Sequence, residues 1–306
     1  MTNKRLPTSV WVVFGILCFV WGTTYFGIKI GVQYFPPFFF SAIRHILAGF
    51  LFVIPFLLRG YKLPNRRDFL RLGIAGCFMV TGGNALITWA ELYIPSGLAG
   101  ILSTLSPLFT TILSIFFFKG FRVTPLIFVG MALSILGIFF LSKPESTEVR
   151  SEYFILGVVL VFCANIFWAL GGIFIKKYPV DVNIYLRTGL QMLIAGSVNM
   201  VISFIFEPLP NLAAVPISGW QALAYLVLVG SMVGYSSFVY VLDYMSPARI
   251  SIHVYVNTIV AVIVGWLFGN EHLTPFMVGI MVVVLSGVLI VNREYAKMAT
   301  TNVTKS

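Results

Sequence analysis

Arg44 and His45 lie side by side in SAIRHILAGF, residues 41–50, inside an otherwise apolar stretch. Insertion scales give a cost of about 2.5 to 3.5 kcal/mol for an Arg at the centre of a membrane helix. Such a side chain is expected to face the interior of a helix bundle, where it has two alternative roles. It can tie helices together through backbone carbonyls or Glu91, or it can bind an anionic group of a substrate in a cavity.

Aromatic and polar side chains at membrane depth add further candidates for a substrate cavity. Trp21 and Tyr25 are four residues apart and share one face of a helix. For Trp21, Tyr25 and Trp168 the alternative is ordinary packing or an anchor at the membrane interface. For the polar residues the alternative is a helix–helix hydrogen bond, which is the commoner outcome. The candidate substrate-binding residues are Trp21, Tyr25, Arg44, Asn84, Trp89, Trp168, Gln191 and Tyr255.

Signatures of catalysis or cofactor binding are not apparent in the sequence. His45, His253 and His272 lie on different segments without the spacing of metal ligands. A glycine-rich lysine loop for ATP is missing, which disfavours primary transport. We therefore expect neither a metal nor a cofactor, and no enzyme activity, with an intramembrane enzyme or a passive channel-like protein as the alternatives.

The composition places the chain in a membrane. Of 306 residues, 59% are hydrophobic and only 10% are charged, whereas soluble domains carry about 25% charged residues. The formal net charge is +10, but the Lys and Arg residues lie in short loops between apolar segments. This distribution is typical of topology signals and not of a nucleic-acid surface.

Ten apolar segments can be recognised, and their length suits membrane helices of roughly 20 residues. They lack the strict alternation of barrel strands, which favours an all-α membrane protein. The predicted segments are 10–30, 37–58, 69–90, 96–118, 123–141, 153–175, 183–206, 217–241, 247–268 and 274–292.

The basic residues predict the orientation. Starting from a cytoplasmic N-terminus, the outer loops receive only Lys29, Lys143 and Arg150. Basic residues concentrate on the cytoplasmic side, which predicts a plasma-membrane protein with both termini in the cytoplasm. The residues on the cytoplasmic side are then Lys4, Arg5, Arg59, Lys62, Arg66, Arg67, Arg71, Lys119, Arg122, Lys176, Lys177, Arg249, Arg293, Lys297 and Lys305.

The two halves of the chain repeat one another. A shift of 147 residues relates Trp21 to Trp168, Lys29 to Lys176, and Arg44 to Gln191, and a shift of 150 relates Gly137 to Gly287. The pattern predicts two five-helix units, residues 1–146 and 147–306. Because five is odd, the second unit enters the membrane from the opposite side, giving two inverted repeats around a central cavity.

Several stretches carry a resemblance to a known family: FVWGTTYFGIK, the Pro36-Pro37 start of the Arg44 segment, ALITWAELYIPSGLAGIL with SPLFTTIL, and GNEHLTPFMVGIMVVVLSGVLIV. In this order they resemble the EamA-type ten-helix family of the drug/metabolite transporter superfamily. The resemblance covers nearly the whole chain. It implies a secondary carrier, often an exporter of amino acids, related metabolites or drugs, and it does not identify the substrate.

The expected partners are a small-molecule substrate and the lipid bilayer. The sequence leaves open whether the chain forms a homo-oligomer. Aromatic walls with few fixed charges suit small amphipathic or zwitterionic molecules. All ten carboxylates fall in loops or at segment ends, among them Glu91 and Glu271. We therefore expect no buried carboxylate relay, and predict exchange, facilitated flux, or coupling through His45.

Two Gly-x-x-x-Gly pairs, Gly27 with Gly31 and Gly230 with Gly234, predict a close approach of helices. Pro107 is expected to bend its helix, because proline removes a backbone hydrogen bond.

Overall fold

The structure, a computed structural model, describes residues 6–117, 124–141, 152–245, 250, 253–272 and 274–303. In this part of the chain, seven helices are long and apolar enough to cross a membrane. We name them α1 (Thr8–Gly31), α2 (Pro37–Leu58), α3 (Arg66–Ala90), α4 (Ser96–Ser114, continuing to Phe117), α6 (Phe154–Lys177), α7 (Ile184–Phe206) and α8 (Ile217–Leu242).

Three further helices have shorter apolar stretches. They are α5 (Pro125–Leu141), α9 (His253–Phe268) and α10 (Pro275–Val303). The helical membrane fold predicted from the sequence is confirmed for the described residues, and each of these ten helices overlaps a predicted segment. Helix α10 continues beyond its predicted end at residue 292 to Val303. That ten helices cross the membrane, and that the two halves are inverted repeats, remain predictions. The predicted unit boundary at 146/147 and the start of the ninth segment at residue 247 lie outside the described residues.

Proline and asparagine begin several of the helices. Pro37 and Pro275 are the first residues of α2 and α10, where the missing N–H of proline removes no intrahelical bond. The Asn65 side chain accepts a hydrogen bond from the Asp68 N–H at the start of α3. Asn183 caps α7 in the same way, so that local sequence fixes these helix starts.

Three spans depart from regular α-helix. Cys77–Ala85 in α3 and Leu226–Val233 in α8 are π-helical, and neither segment was predicted. Such segments occur often at functional sites. Helix α4 is interrupted at residues 104–105, and Pro107 is the second residue of the part that follows. The interruption lies directly before the helical part that contains Pro107, and the predicted bend of the helix axis stays a prediction.

Helices α2 and α7 cross at small residues. A Cβ atom added to Gly189 would lie 3.1 Å from the Gly49 carbonyl oxygen, and one added to Gly196 would lie 3.2 Å from the Ala42 carbonyl oxygen. The shift of 147 residues converts Ala42 into Gly189 and Gly49 into Gly196. The same shift therefore exchanges these two contacts, as a two-fold axis through the crossing would do.

Helices α5 and α10 cross in a corresponding way. A Cβ atom added to Gly137 would lie 2.5 Å from a methyl carbon of Val284, and one added to Gly287 would lie 2.6 Å from the Ser134 hydroxyl. A shift of 150 residues exchanges these contacts as well. Elsewhere α1 packs against α8 and α9, whereas α6 packs against α3 and α4.

The two ends of the bundle differ in charge. At one end, which we call the basic end, the Arg71 guanidinium lies 5.7 Å from the Tyr178 ring centre, and the Lys177 ammonium lies 5.9 Å from the Phe117 ring centre. Exposed Arg59, Lys62, Arg66, Arg67 and Lys176 lie at this end too. The opposite end carries the C-terminal ends of α1 and α3 and the N-terminal end of α4.

Candidate functional site

One face of α1 carries a row of functional side chains. Trp21, Tyr25 and Lys29 follow at intervals of four residues and so share this face. The row extends roughly 12 Å along the helix, from the middle of the span toward its C-terminal end. Lys29 was recognised in the sequence only as a repeated position, and the structure places it in line with two candidate cavity residues.

Trp21 belongs to an aromatic cluster that we define as Trp21, Tyr235, Phe238 and His253. The Trp21 ring centre lies 5.5 Å from that of Tyr235, 5.3 Å from that of Phe238 and 5.2 Å from that of His253. Gly234 faces the Trp21 ring so closely that an added Cβ atom would lie 2.4 Å from the indole nitrogen. The close approach predicted for Gly230-x-x-x-Gly234 is confirmed, because α1 and α8 meet here.

Arg44 points into the bundle, as predicted. The residue is 6% exposed, and its guanidinium lies beside Gly230, at 3.5 Å from the position of an added Cβ atom. The Nε atom has no hydrogen-bond partner among the described residues. Arg44 interacts electrostatically with Tyr235 and Glu91, but the described residues show no ion pair between Arg44 and Glu91.

Glu91 is the most deeply enclosed of these groups. It is 0% exposed, and neither carboxylate oxygen has a hydrogen-bond partner among the described residues. The Lys29 ammonium interacts electrostatically with Glu91 and Glu271, but it donates hydrogen bonds to the Glu91 and Ile94 carbonyl oxygens, the latter at 3.0 Å. We call Lys29, Arg44, Glu91 and Glu271 the charged cluster.

The burial of Glu91 corrects one expectation. Its position at the end of a span suggested contact with water, and the absence of a buried carboxylate was inferred from that position. This inference is wrong for Glu91, because α2 and α6 pack on the last residues of α3 and Lys29 of α1 binds the Glu91 carbonyl oxygen. The residues that cover Glu91 are far from it in the sequence, so its position in α3 did not reveal them.

Two other carboxylates at this end cap helix N-termini. Glu271 accepts hydrogen bonds from the Ser96 N–H at 2.6 Å, the Ser96 hydroxyl at 2.7 Å and the Gly97 N–H at 2.9 Å. Glu207 accepts from the Phe38 and Phe39 N–H groups at 2.8 and 2.9 Å. Unpaired N–H groups and the helix dipole favour an anion at these positions, so both carboxylates have clear structural partners.

His45 lies in a different environment from its neighbour Arg44. Its Nδ1 donates to the Ser41 carbonyl oxygen at 2.7 Å, and the residue is 1% exposed. The Asn199 side chain of α7 donates to the Ser41 hydroxyl at 3.1 Å. His45 therefore lies in the contact between α2 and α7, outside the charged cluster.

A second group of candidates surrounds the π-helical segment of α3. A Cβ atom added to Gly83 would lie 3.0 Å from the Trp168 ring. A Cβ atom added to Gly76, just before this segment, would lie 2.6 Å from the backbone carbonyl oxygen of Gln191. The buried Nε2 of Gln191 has no hydrogen-bond partner among the described residues. Asn84 follows Gly83 directly and is half-buried.

The remaining candidates belong to the largest apolar core. Tyr255 is 8% exposed within this core, and Tyr25 and Trp89 pack against it. The Trp89 indole nitrogen donates to the Tyr93 hydroxyl at 3.4 Å, and its ring lies 5.9 Å from Phe38. Packing in the core thus accounts for the position of Tyr255 and Trp89, whereas Tyr25 connects the core to the charged cluster.

Tyr235 was missed by reasoning from the sequence, although it contacts Trp21 and interacts with Arg44. The available signal was its position directly after Gly234. A glycine that allows two helices to approach also brings its neighbours to the same interface. Glu271 was recognised only as a residue at a span end, because its helix-capping contact depends on the distant Ser96.

This arrangement is that of a polytopic membrane protein with charged and aromatic side chains enclosed between its helices. The EamA-like transporter family matches the chain twice, over residues 9–143 and 155–293. The chain belongs to the EamA-like transporter family, which confirms the resemblance noted in its motifs. It is a membrane-embedded transporter.

Relatives across bacteria and archaea agree with this membership. The chain is 33% identical to the uncharacterized inner membrane transporter YedA of Escherichia coli (strain K12), over 91% of this chain and 89% of YedA. It is 25% identical to an uncharacterized transporter of Archaeoglobus fulgidus, over 93% and 99%, and 25% identical to the protein PecM of Dickeya dadantii, over 89% and 88%. A crystal structure of a protein with 17% identity has the same fold, with a TM-score of 0.62 over 93% of this chain and 96% of that one.

Proposed function

We propose that the protein is a secondary transporter of the plasma membrane that exports amino acids or related small metabolites by alternating access. In this proposal ten helices form two inverted five-helix repeats around a central cavity, and both termini lie in the cytoplasm. The protein is a carrier and not an enzyme, in keeping with the relatives named as transporters.

The symmetric crossings support the repeat. The Gly49–Gly189 contact and the Ala42–Gly196 contact of α2 and α7 exchange under the shift of 147 residues, and the α5–α10 contacts exchange under the shift of 150. The family also matches each half separately. These contacts join the two halves, and their symmetry supports inverted repeats that exchange conformations during alternating access.

The observation that carries the proposal is the difference between equivalent positions in the two halves. Tyr25 packs against Gly100, and Lys29 is tied to the ends of α3 and α4. The positions 147 residues later are Gly172, around which an added Cβ atom meets nothing within 4 Å, and exposed Lys176. The row on α1 is thus packed against neighbouring helices, whereas the equivalent positions on α6 lie at the surface. This difference supports a carrier in which the end formed by α1, α3 and α4 is closed and the basic end is open.

The basic end supports the proposed direction of transport, from the cytoplasm outward. Exposed Lys and Arg residues concentrate at the open end, and basic residues of membrane proteins concentrate in the cytoplasm. The open side would then receive its cargo from the cytoplasm. Enclosed aromatic rings together with the unpartnered Arg44 suit a small molecule that has an apolar part and an anionic group, as amino acids do. The proposed cargo contacts are Trp21, Tyr25, Arg44 and Trp168, to which we add Tyr235.

An export assay tests this function. A strain that overexpresses the protein is compared with a strain that carries Arg44→Gln, and the metabolites in the medium are measured by mass spectrometry. We expect the protein to enrich the medium in amino acids or related metabolites and the variant to lose this enrichment, because the cation that meets the anionic group is gone. Arg187→Gln provides the matched control, since Arg187 lies at the start of α7 outside the charged cluster.

The amount of each variant in the membrane separates binding from folding. If Arg44→Gln accumulates normally and exports at the rate of the unmodified protein, Arg44 has no part in cargo binding. If it does not accumulate, its role is that of a structural tie. Enrichment of highly charged species alone, such as nucleotides, would refute the proposed cargo class.

A further inference from the structure

We propose that the Glu91 carboxyl is a proton-binding site whose protonation accompanies closure of the end formed by α1, α3 and α4. This inference rests on the proposed function, because it assigns the proton as the coupling ion of that transporter. It replaces the expectation of coupling through His45, whose ring is held by Ser41 at the contact between α2 and α7.

The first argument compares four carboxylates of the same molecule. Glu271 accepts three hydrogen bonds, Glu207 accepts two, and Glu294 accepts one from the Thr124 hydroxyl at 3.0 Å. Glu91 is fully buried, and both of its oxygens lack a donor within the described part of the chain. A buried carboxylate without donors loses its hydration and gains no hydrogen bond in return. Among these four carboxylates, only Glu91 thus lies in surroundings that suit the neutral, protonated acid.

The second argument concerns the donors that Glu91 does not use. The nearest cation, Lys29, donates to two backbone carbonyl oxygens, one of them that of Glu91 itself. Arg44 interacts with Glu91 electrostatically and forms no ion pair with it within the described residues. Two cations therefore lie close to the carboxyl, and neither donates a hydrogen bond to its oxygens.

The surroundings of Glu91 act in opposite directions. Lys29 of α1 and Arg44 of α2 favour the ionised carboxylate, whereas Glu271 in the loop after α9 disfavours it. Tyr25 of α1 also interacts electrostatically with the group, and Tyr153, which directly precedes α6, packs on Tyr93. Enclosure favours the neutral acid. Opening this end admits water, which supplies the missing donors and favours the ion.

The proposed step is a simple protonation. One carboxylate oxygen of Glu91 takes a proton, an O–H bond forms, and the side chain becomes neutral as the end closes. When the end opens, the O–H bond breaks and the proton passes to water. Lys29 has to leave the Glu91 and Ile94 carbonyl oxygens for this opening, because these hydrogen bonds join the ends of α1, α3 and α4.

Infrared spectroscopy tests proton binding without knowledge of the cargo. Purified full-length protein in lipid is titrated from acidic to alkaline pH, and the C=O stretching band of the protonated carboxyl group is followed. The other Asp and Glu side chains also give carboxyl bands at acidic pH, so the spectrum of Glu91→Gln is subtracted from that of the unmodified protein. We expect the difference to contain a titrating band, and we expect the matched control Glu207→Gln to retain this component. Identical titrations of the unmodified protein and Glu91→Gln overturn the proposal.

Transport then tests coupling, with a metabolite that the export assay has identified. In liposomes, a pH gradient should drive accumulation of this metabolite by the unmodified protein. Glu91→Gln should reduce accumulation to the level seen without a gradient and should retain exchange of labelled for unlabelled metabolite. Accumulation by Glu91→Gln equal to that of the unmodified protein overturns the coupling.

The two proposals fail separately. If the unmodified protein exports nothing, the proposed function fails, while the infrared titration still decides whether Glu91 binds a proton. If Glu91→Gln does not fold, Glu91→Asp keeps the carboxyl group on a shorter side chain. The titrating band should then move from the position of a glutamic acid to that of an aspartic acid, and an unmoved band contradicts the proposal.

Discussion

The row Trp21–Tyr25–Lys29 on α1 and the row Trp168–Gly172–Lys176 on α6 occupy equivalent positions in the two halves, but their surroundings differ. On α1 the tyrosine packs against α4 and the lysine binds the ends of α3 and α4. On α6 the tyrosine is replaced by a glycine with open space around it, and the lysine is exposed. Similar sequence positions thus occupy a packed and an exposed environment in one molecule.

The charged residues show the same asymmetry. Arg44 corresponds to the uncharged Gln191. Glu91 follows the last residue of α3 and is buried, whereas Asp243 follows the last residue of α8 and is exposed. The helix crossings, in contrast, are shared by both halves. The comparison indicates that the symmetric contacts provide the scaffold, while Arg44 and Glu91, to which we assign the proposed substrate and proton binding, lie in the first half.

The largest expected effect comes from breaking the symmetric crossing. Gly189→Leu places a side chain where even a Cβ atom would lie 2.7 Å from the Phe52 Cβ atom. Overpacking commonly costs about 1–3 kcal/mol, and contact with a neighbouring backbone leaves little room for relaxation. We expect loss of the folded protein, measured as the monodisperse fraction after extraction in detergent.

Gly172→Leu is the control for this substitution, because it adds the same side chain where nothing lies within 4 Å. It should leave the monodisperse fraction unchanged. Equal loss in both variants would show that a leucine is harmful in these helices for a reason other than the crossing, and would remove the argument for a shared scaffold.

The sequence was sufficient to predict the helices and the interior position of Arg44. Helix α2 has the predicted bounds, residues 37–58, because Pro36 and Pro37 fix its start and the apolar stretch ends before Arg59. Arg44 could be placed inside the bundle because the cost of a charge in lipid excludes the outside. Both inferences depend on local sequence and on the membrane as solvent.

The features that could not be predicted depend on contacts between distant parts of the chain. The burial of Glu91 depends on the packing of α2 and α6 against the end of α3 and on the contact with Lys29 of α1. The partnership of Glu271 with Ser96 joins residues that are 175 positions apart. Tyr235 becomes a site residue only because Gly234 lets Trp21 approach. Hydrophobic periodicity and composition predict which face of a helix is buried, but they do not predict which side chains from other helices contact that face.

Chemical labelling would sharpen the comparison between the two rows. In a background with Cys18, Cys77 and Cys163 replaced by serine, Tyr25→Cys and Gly172→Cys introduce thiols at equivalent positions of α1 and α6. A charged, water-soluble maleimide is added to the cytoplasmic face of inside-out vesicles. We expect fast modification at position 172 and protection at position 25, because a thiolate forms and reacts only where water reaches it.

The labelling result has an informative alternative. A thiol at position 172 that faces lipid would resist the charged reagent, although it has open space around it. Equal protection at both positions would therefore contradict an opening at the basic end. Modification at position 25 alone would reverse the assignment of the closed and open ends.

The smallest effect is expected from the carboxylates that cap helices at the closed end. Glu271→Gln removes the negative charge from the N-terminus of α4 and weakens three hydrogen bonds, whereas Glu207→Gln does the same to two bonds at α2. A charge at a helix N-terminus contributes about 0.3–1 kcal/mol when exposed and up to about 2 kcal/mol when partly buried. Both variants should unfold at a lower temperature in detergent.

Glu271→Gln should also leave Lys29 with one carboxylate fewer and so loosen the closed end. This loosening would appear as faster maleimide modification of the thiol in Tyr25→Cys. Glu207→Gln should lower the unfolding temperature without changing that rate, because Glu207 caps α2 and is not part of the charged cluster. If the two variants change the modification rate equally, the charged cluster does not hold this end closed.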